Sequence, residues 1–264
     1  MGRATDPAVP RETVVDVRGI PAFVREAGTG PTIIFLHGPE EPGWPPALAR
    51  LAREFRVVAP DHPGMGQTPL GDAIEDINDL AYHYLDLIDA LGLGDVTLVG
   101  VSFGGWIAAE TAVAGSHRLR NLVLVDAPGL RVDGRDLPEI YYVPEHDQSK
   151  LLLADPRNAE LAFPPTDDPD RIERRIVQWA SLARFTWQPY WHNPKLPGRL
   201  HHISAPTLIV WGSEDRFTPP SHAHAFAERI PKAAVSVIQG AGHLPHLEQP
   251  DRFCETITGF IKDT

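Results

Sequence analysis

The chain has a single cysteine, Cys254, so no internal disulfide can staple it and no second thiol is available for a cysteine-based zinc site. Cys254 falls in a late amphipathic stretch, where a buried, inert thiol is expected. No run of aliphatic and aromatic residues is longer than four, against the roughly 18 to 20 needed to cross a bilayer, so no membrane-spanning helix is expected. Positive charge is also short: 24 Lys and Arg stand against 35 Asp and Glu, a formal net charge of -11. The basic residues do not cluster beyond Arg174-Arg175, and nucleic acid is not an expected partner. The first twenty residues, MGRATDPAVPRETVVDVRGI, hold acids and prolines and no continuous apolar segment. A secretory signal is therefore not expected, and the expected location is the cytoplasm. What remains is globular in composition, 42% hydrophobic and 22% charged, and neither disordered nor fibrous. At 264 residues, one large domain with an insertion is expected rather than two equal domains.

Short apolar, β-branched runs alternate with longer segments of helical period, the pattern of strands joined by helices around a mainly parallel sheet. The runs are Val14-Val17, Phe23-Glu26, Thr32-Leu36, Arg56-Ala59, Val96-Val99, Leu122-Val125, Thr207-Val210 and Val235-Ile238. The middle ones are apolar on both faces, as buried parallel strands must be. Helices are predicted at about 45-54, 77-91, 103-115, 221-230 and 250-262. Between the sixth and seventh runs this rhythm stops, over roughly 130 to 203, too long a stretch for a structureless loop inside a compact domain. It holds eight of the 21 aromatic residues: Tyr141, Tyr142, Phe163, Trp179, Phe185, Trp187, Tyr190 and Trp191. The expected organisation is a core of 1-129 and 204-264 with a helical lid at 130-203, whose aromatic underside walls a pocket.

Directly after the run VTLVG stands Gly100-Val101-Ser102-Phe103-Gly104, and the helical segment WIAAETAVA follows. A serine at the tip of such a strand-turn-helix projects its hydroxyl above the sheet, and the flanking glycines permit close chain approach. The Phe103 N-H, first in the helix, is then placed to receive an oxyanion. A serine hydroxyl needs a base, and the base needs a carboxylate to orient it. Of twelve histidines, His243 stands just past the last run, where loops at the carboxyl ends of parallel strands converge. His246 invites a metal reading with His243, but no third ligand stands nearby, so no metal is expected. His201, His202, His222 and His224 are expected to be solvated or packing residues. Two acids follow strands and compete to orient the imidazole: Asp215 after the seventh run and Asp126 after the sixth.

At this point the chain resembles the α/β-hydrolase family over nearly its whole length. The residues that carry the resemblance are Leu36-His37-Gly38, Asp61-His62-Pro63-Gly64-Met65-Gly66-Gln67-Thr68, the Gly100-Gly104 turn, the Asp215 turn and Gly242-His243, in the order Ser, Asp, His. The resemblance implies an α/β-hydrolase fold with a mostly parallel eight-stranded sheet and a helical lid. It also implies Ser102, Asp215 and His243 as nucleophile, acid and base, with Asp126 as the alternative acid. Glu214 is expected to be a solvated neighbour. The second oxyanion donor in such enzymes is the N-H of the residue after His-Gly; here that residue is Pro39, which has none. The hole must then be completed by the Glu40 N-H, a side chain or a water. Glu40 and Glu41 are expected as solvated carboxylates at the mouth of the site. His37, Trp187, Trp191 and Leu244 are the expected pocket residues. Asn193-Pro194-Lys195, Arg199-Leu200 and Ala205-Gly212 are similar to hydrolases that cleave carbon-carbon bonds in ring-fission products, and Arg184 with Trp187 is similar to their carboxylate clamp. Pro39-Glu40-Glu41 and Leu244 depart from that pattern. Ser102 at the nucleophile position excludes haloalkane dehalogenase and epoxide hydrolase chemistry, both of which need Asp there. The expected activity is hydrolysis of an ester or lactone of a low-polarity small molecule without a cofactor. Carbon-carbon hydrolysis, or non-catalytic binding of a small molecule under the lid, are the alternatives.

Overall fold

The computed structural model describes residues 9-264 other than 133 and 135, and all their side chains except those of 145 and 146; the first eight residues of the expected signal-free terminus lie outside it. Among the described residues, eight strands form one sheet: β1 (Arg11-Val17), β2 (Ile20-Ala27), β3 (Thr32-Leu36), β4 (Arg56-Pro60), β5 (Val96-Val101), β6 (Leu119-Val125), β7 (Thr207-Gly212) and β8 (Ala233-Ile238). The order across the sheet is β1-β2-β4-β3-β5-β6-β7-β8. Strand β2 is antiparallel to both its neighbours, and every pairing from β4 onward is parallel. The α/β-hydrolase fold expected from the sequence is the fold observed. Every residue of β5 and β7 is buried, which is why their sequences are apolar on both faces.

The helices are α1 (Pro46-Leu51), α2 (Ile77-Ala90), α3 (Phe103-Gly115), α4 (Glu145-Leu152), α5 (Pro169-Thr186), α6 (Ser221-Ala227), α7 (Pro245-Glu248) and α8 (Pro250-Asp263). Helix α2 starts where the Asp76 side chain accepts the N-H groups of Asn78 and Asp79, and the Asp79 side chain accepts that of Asp76 in return. It packs on α3, while α1, α7 and α8 form a second group. Helix α8 buries Phe253, Cys254, Ile257 and Ile261 and keeps its other face in water. The Cys254 thiol is buried, donates to Ala47 O at 3.3 Å and has its pKa pushed up by burial to about 12, as an inert thiol should. No helix among the described residues is long and apolar enough to cross a membrane.

Helices α4 and α5 lie between β6 and β7, together with short turns at Ile140-Tyr142, Pro156-Leu161, Leu196-Gly198 and Leu200-His202. The two ends of this segment are tied together: Gly129 N-H donates to Trp191 O and Asn193 N-H to Gly129 O, both at 3.0 Å.

Parallel register sets the carboxyl ends of the central strands side by side, with Leu36 opposite Gly100 and Val101 opposite Val125. The turn from β5 into α3 presses against the end of β3. A Cβ on Gly104 would lie 2.3 Å from Leu36 O and 2.4 Å from His37 O, backbone atoms that cannot swing away. Gly104→Ala should therefore cost on the order of 3 kcal/mol or more. In thermal unfolding that corresponds to roughly 2-4 °C per kcal/mol for a chain near this size. An unchanged midpoint would show that position 104 accommodates a Cβ without cost.

Candidate active site

Ser102 stands alone between β5 and α3, with φ 51° and ψ -119°. This left-handed conformation is rare for a residue with a side chain and costs of order 1-3 kcal/mol, so the surroundings must hold it. They do so through Ser102 N-H to Val125 O (2.8 Å) and Trp106 N-H to Ser102 O (3.0 Å). The hydroxyl lies 2.6 Å from His243 Nε2, to which it can donate. On the other side of the ring, His243 Nδ1 lies 2.7 Å from Asp215 Oδ2. All three side chains are buried.

Asp215 sits on the turn after β7, which presents three more donors to it. Phe217 N-H (2.8 Å) and Thr218 N-H (2.9 Å) reach Oδ1, and the Thr218 hydroxyl (2.6 Å) reaches Oδ2. His243 stands on the loop after β8, and its N-H donates to Leu152 O at 2.9 Å, so the end of α4 fixes this loop. The Phe217 ring stands edge-on to the imidazole at 5.1 Å and to Trp191 at 5.0 Å. Asp126, the alternative acid, is not hydrogen-bonded to His243. Its Oδ1 instead accepts the Gly212 N-H at 2.8 Å. Glu214 is exposed, as expected.

On the opposite side of Ser102, the loop after β3 is locked from below. The His62 N-H donates to His37 Nε2 (3.3 Å), which leaves His37 Nδ1 to donate to Gly38 O (2.8 Å). His62 Nε2 in turn donates to His37 O (2.9 Å), and the Tyr84 hydroxyl donates to His62 Nδ1. Burial lowers the pKa of both imidazoles, so they serve as neutral hydrogen-bonding groups. As the first residue of α3, Phe103 has no residue within the helix to take its N-H. Pro39 offers no N-H, as the sequence indicated.

The expectation that Glu40 and Glu41 are solvated is corrected. Glu40 is buried; its Oε1 accepts the Gly38 N-H at 2.9 Å and lies 3.3 Å from His246 Nε2. Burial opposes its charge, but His246, His37 and the Gly38 N-H outweigh that and hold its pKa at about 2, so it is an anion. A Cβ on Gly38 would lie 2.5 Å from Glu40 Oε2 and 3.1 Å from Ser102 Cβ, so Gly38 is wedged between the two side chains. Glu41 pairs with Arg171 (2.5 Å) and Arg175 (2.9 Å) of α5. Gln178, one turn further along α5, donates to both Pro39 O (3.0 Å) and Glu40 O (2.9 Å). No local pattern announces these contacts, because the partners stand about 130 residues apart in the chain.

The expected pocket residues divide. Trp191 is fully buried against Phe103 and Phe217, and Leu244 is buried beside His243. Trp187 is 48% exposed and packs on Tyr141 and Tyr142, so it does not stand with them. Arg184 is exposed and reaches Ile74 O at 3.3 Å, so no clamp forms from this pair. His37 lines a cavity of about 230 Å³ with Phe35, Glu40, Trp44, Asp61 and His246, and neither Ser102 nor His243 lines it. His246 Nε2 thus faces Glu40.

This geometry is that of a strand-to-helix serine in hydrogen-bonded line with a histidine and a carboxylate, on an α/β-hydrolase sheet. The model of the alpha/beta hydrolase family matches residues 33-256, and the chain belongs to that family. It is 27% identical over 261 residues to a 2-hydroxy-6-oxo-2,4-heptadienoate hydrolase of Pseudomonas putida, covering 92% of this chain and 93% of that protein. Among solved structures it is similar to a serine hydrolase involved in carbazole degradation, with TM-score 0.79 and 24% identity over 97% of this chain and 100% of the other. It is also similar to an esterase of Thermogutta terrifontis, with TM-score 0.70 and 25% identity, covering 97% and 99%.

The Glu40 contacts predict a pH-dependent stability. Its folded pKa of about 2 lies below the ordinary 4.5, so the carboxylate's contribution is present above the ordinary value and is lost as pH falls through the folded one. Glu40→Gln should therefore destabilise the protein at neutral pH, with a penalty that shrinks as pH drops below about 4.5. Urea unfolding of both proteins across that range measures it. A pH-independent difference would mean that Glu40 is not an ion partner in the folded state.

Proposed function

We propose that this protein is a serine hydrolase that cleaves a carboxylic ester or lactone of a low-polarity small molecule through an acyl-enzyme. The observation that carries the reading is the unbroken line from Ser102 Oγ through His243 to Asp215, at 2.6 and 2.7 Å. Ser102 attacks the carbonyl, and His243 Nε2 takes the hydroxyl proton and returns it to the leaving alkoxide. Asp215 fixes the tautomer that leaves Nε2 free to accept. The Phe103 N-H receives the oxyanion. A second donor comes from the Glu40 N-H, from a side chain or from water, since the Gly38 N-H is held by the Glu40 carboxylate. Loss of one such donor costs about 10²-10³-fold in other serine hydrolases, so turnover depends on this second donor. The segment 130-203 acts as the lid, with Trp191 and Leu244 as pocket walls.

A second reading, carbon-carbon hydrolysis, is favoured by the Pseudomonas putida relative, which acts on a dienoate. Against it stand the Glu40 anion across Gly38 from Ser102, which repels a substrate carboxylate, and the outward Arg184. A non-catalytic receptor on the same fold is the third reading, and the missing Pro39 N-H is its one support.

A fluorophosphonate probe, a panel of p-nitrophenyl esters and a heptadienoate substrate separate the three. Labelling of Ser102 with ester turnover is the expected result. Turnover of the dienoate alone would establish the second reading, and labelling and turnover both absent in the folded protein would establish the third. Ser102→Ala should lower turnover by roughly 10⁴-10⁶-fold with folding intact. Asp215→Asn should cost about 10³-10⁴-fold, because an amide at 215 donates to His243 Nδ1 and imposes the wrong tautomer. If either variant keeps more than a tenth of the activity, this mechanism is wrong.

A further inference from the structure

Asp126, the residue directly after β6, is held more tightly than a bystander needs to be. It is fully buried and adopts φ 46°, left-handed for a residue with a side chain. Its N-H donates to Val210 O at 3.0 Å, and its Oδ1 accepts the Gly212 N-H at 2.8 Å. Its Oδ2 is buried with no hydrogen-bond partner. One polar atom from each of Asp126, Asp215 and His243 lies within 4.8 Å of the others. Such a trio has metal-site spacing, but His243 Nδ1 and both oxygens of Asp215 are already committed to hydrogen bonds inside the protein.

Two carboxylates this close in a sealed site repel, and one of them must keep its proton. Asp215 has four hydrogen-bond contacts to its oxygens, whereas Asp126 has one. Burial first, then the Asp215 charge, raise the Asp126 pKa well above the carboxylate range, and the Glu248 charge adds to this. Three titratable groups thus face Asp126: Asp215 from the turn after β7, His243 from the loop after β8 and Glu248 from α7.

We propose that Asp126 is a positioning residue of the relay: a neutral carboxylic acid beside Asp215 that leaves the pair one negative charge, and that takes up this charge opposite His243 when Asp215 is removed. No bond to substrate forms at Asp126. When the Ser102 proton moves to His243, the positive imidazolium faces the single negative charge of the carboxyl pair, and the negative charge that the proton leaves behind passes through Ser102 Oγ to the carbonyl oxygen as the oxyanion.

The proposal rests on the reading of Ser102 as nucleophile, and its test uses the ester on which the wild-type enzyme turns over. The variants are Asp126→Asn, Asp215→Ala and the double variant, each checked for native circular dichroism. Alanine is chosen at 215 because, unlike asparagine, it cannot impose the wrong tautomer. Removal of the acid alone costs about 3 × 10⁴-fold in subtilisin. Here Asp215→Ala should cost only about 10²-fold, because Asp126 ionises once its like-charged neighbour is gone, and Asp126→Asn a few-fold. The double variant should lose on the order of 10⁴-fold or more, beyond the product of the two single losses.

The pH midpoint of kcat/KM supplies a readout that a packing role would not move. In the double variant it should fall by about one unit relative to Asp215→Ala, because no carboxylate of the pair remains beside the imidazole to favour its charged form. Should the double variant not fold, the midpoint of Asp215→Ala decides. A midpoint close to wild type supports the proposal, and a fall of a unit or more overturns it. Equal losses in Asp215→Ala and the double variant also overturn it. Fluorophosphonate labelling of wild-type Ser102 keeps the two readings separate: without labelling the nucleophile reading fails, whereas labelling with equal losses removes only the role of Asp126.

Discussion

The rest of the site depends on one steric constraint, the passage of the chain from β5 into α3 through the single residue Ser102. The turn can close only because nothing projects from Gly104 toward the end of β3 or from Gly100 toward the backbone of Gly104 itself. Its closure does three things at once. It lifts the Ser102 hydroxyl above the strand ends, it starts α3 with the Phe103 N-H beside that hydroxyl, and it hydrogen-bonds the Gly104 N-H to His37 O at 3.1 Å. The loop bearing Gly38 and Glu40 is thereby indexed to the serine. The strain in Ser102 is carried by the sheet, where burial of strands such as β5 and β7 supplies the larger favourable term.

A constraint of this kind is legible in a sequence because its parts are neighbours. The turn is five consecutive residues, and the strands announce themselves as runs of buried aliphatics. Asp215 and His243 could be picked from competitors because each follows a strand and so must reach the same edge of the sheet. Asp126 met that test equally well. The two differ in the hydrogen bonds around each carboxylate, the one from His243 Nδ1 to Asp215 above all, and these exist only in the folded turn.

What stayed hidden belongs to pairs with no local signal. Glu40 reads as a surface acid until His246, far along the chain, is folded against it. Glu41 does so until α5 lays Arg171 and Arg175 across it. The aromatic content of 130-203 indicated a packed segment, but not which rings face inward. Trp191 and Trp187 are four residues apart, yet one ends fully buried and the other about half in water. The separation comes from the end of α5: Trp187 still has helical φ and ψ as its C-cap, whereas by Trp191 the chain has left the helix, with φ 51°.

The segment between β6 and β7 grips the site on two opposite shoulders, through Gln178 on the loop of Pro39 and Glu40 and through Leu152 O on the N-H of His243. If the proposed lid moved as a unit, these hydrogen bonds would break and the two loops they hold would loosen. Admission of substrate and assembly of the reactive geometry then become a single coordinate of motion. A molecule that held the proposed lid open would meet the loop of His243 and the loop of Pro39 and Glu40 without these hydrogen bonds. Discrimination between substrates would accordingly reside in which guests let the two shoulders re-form at once, more than in any one contact inside the pocket.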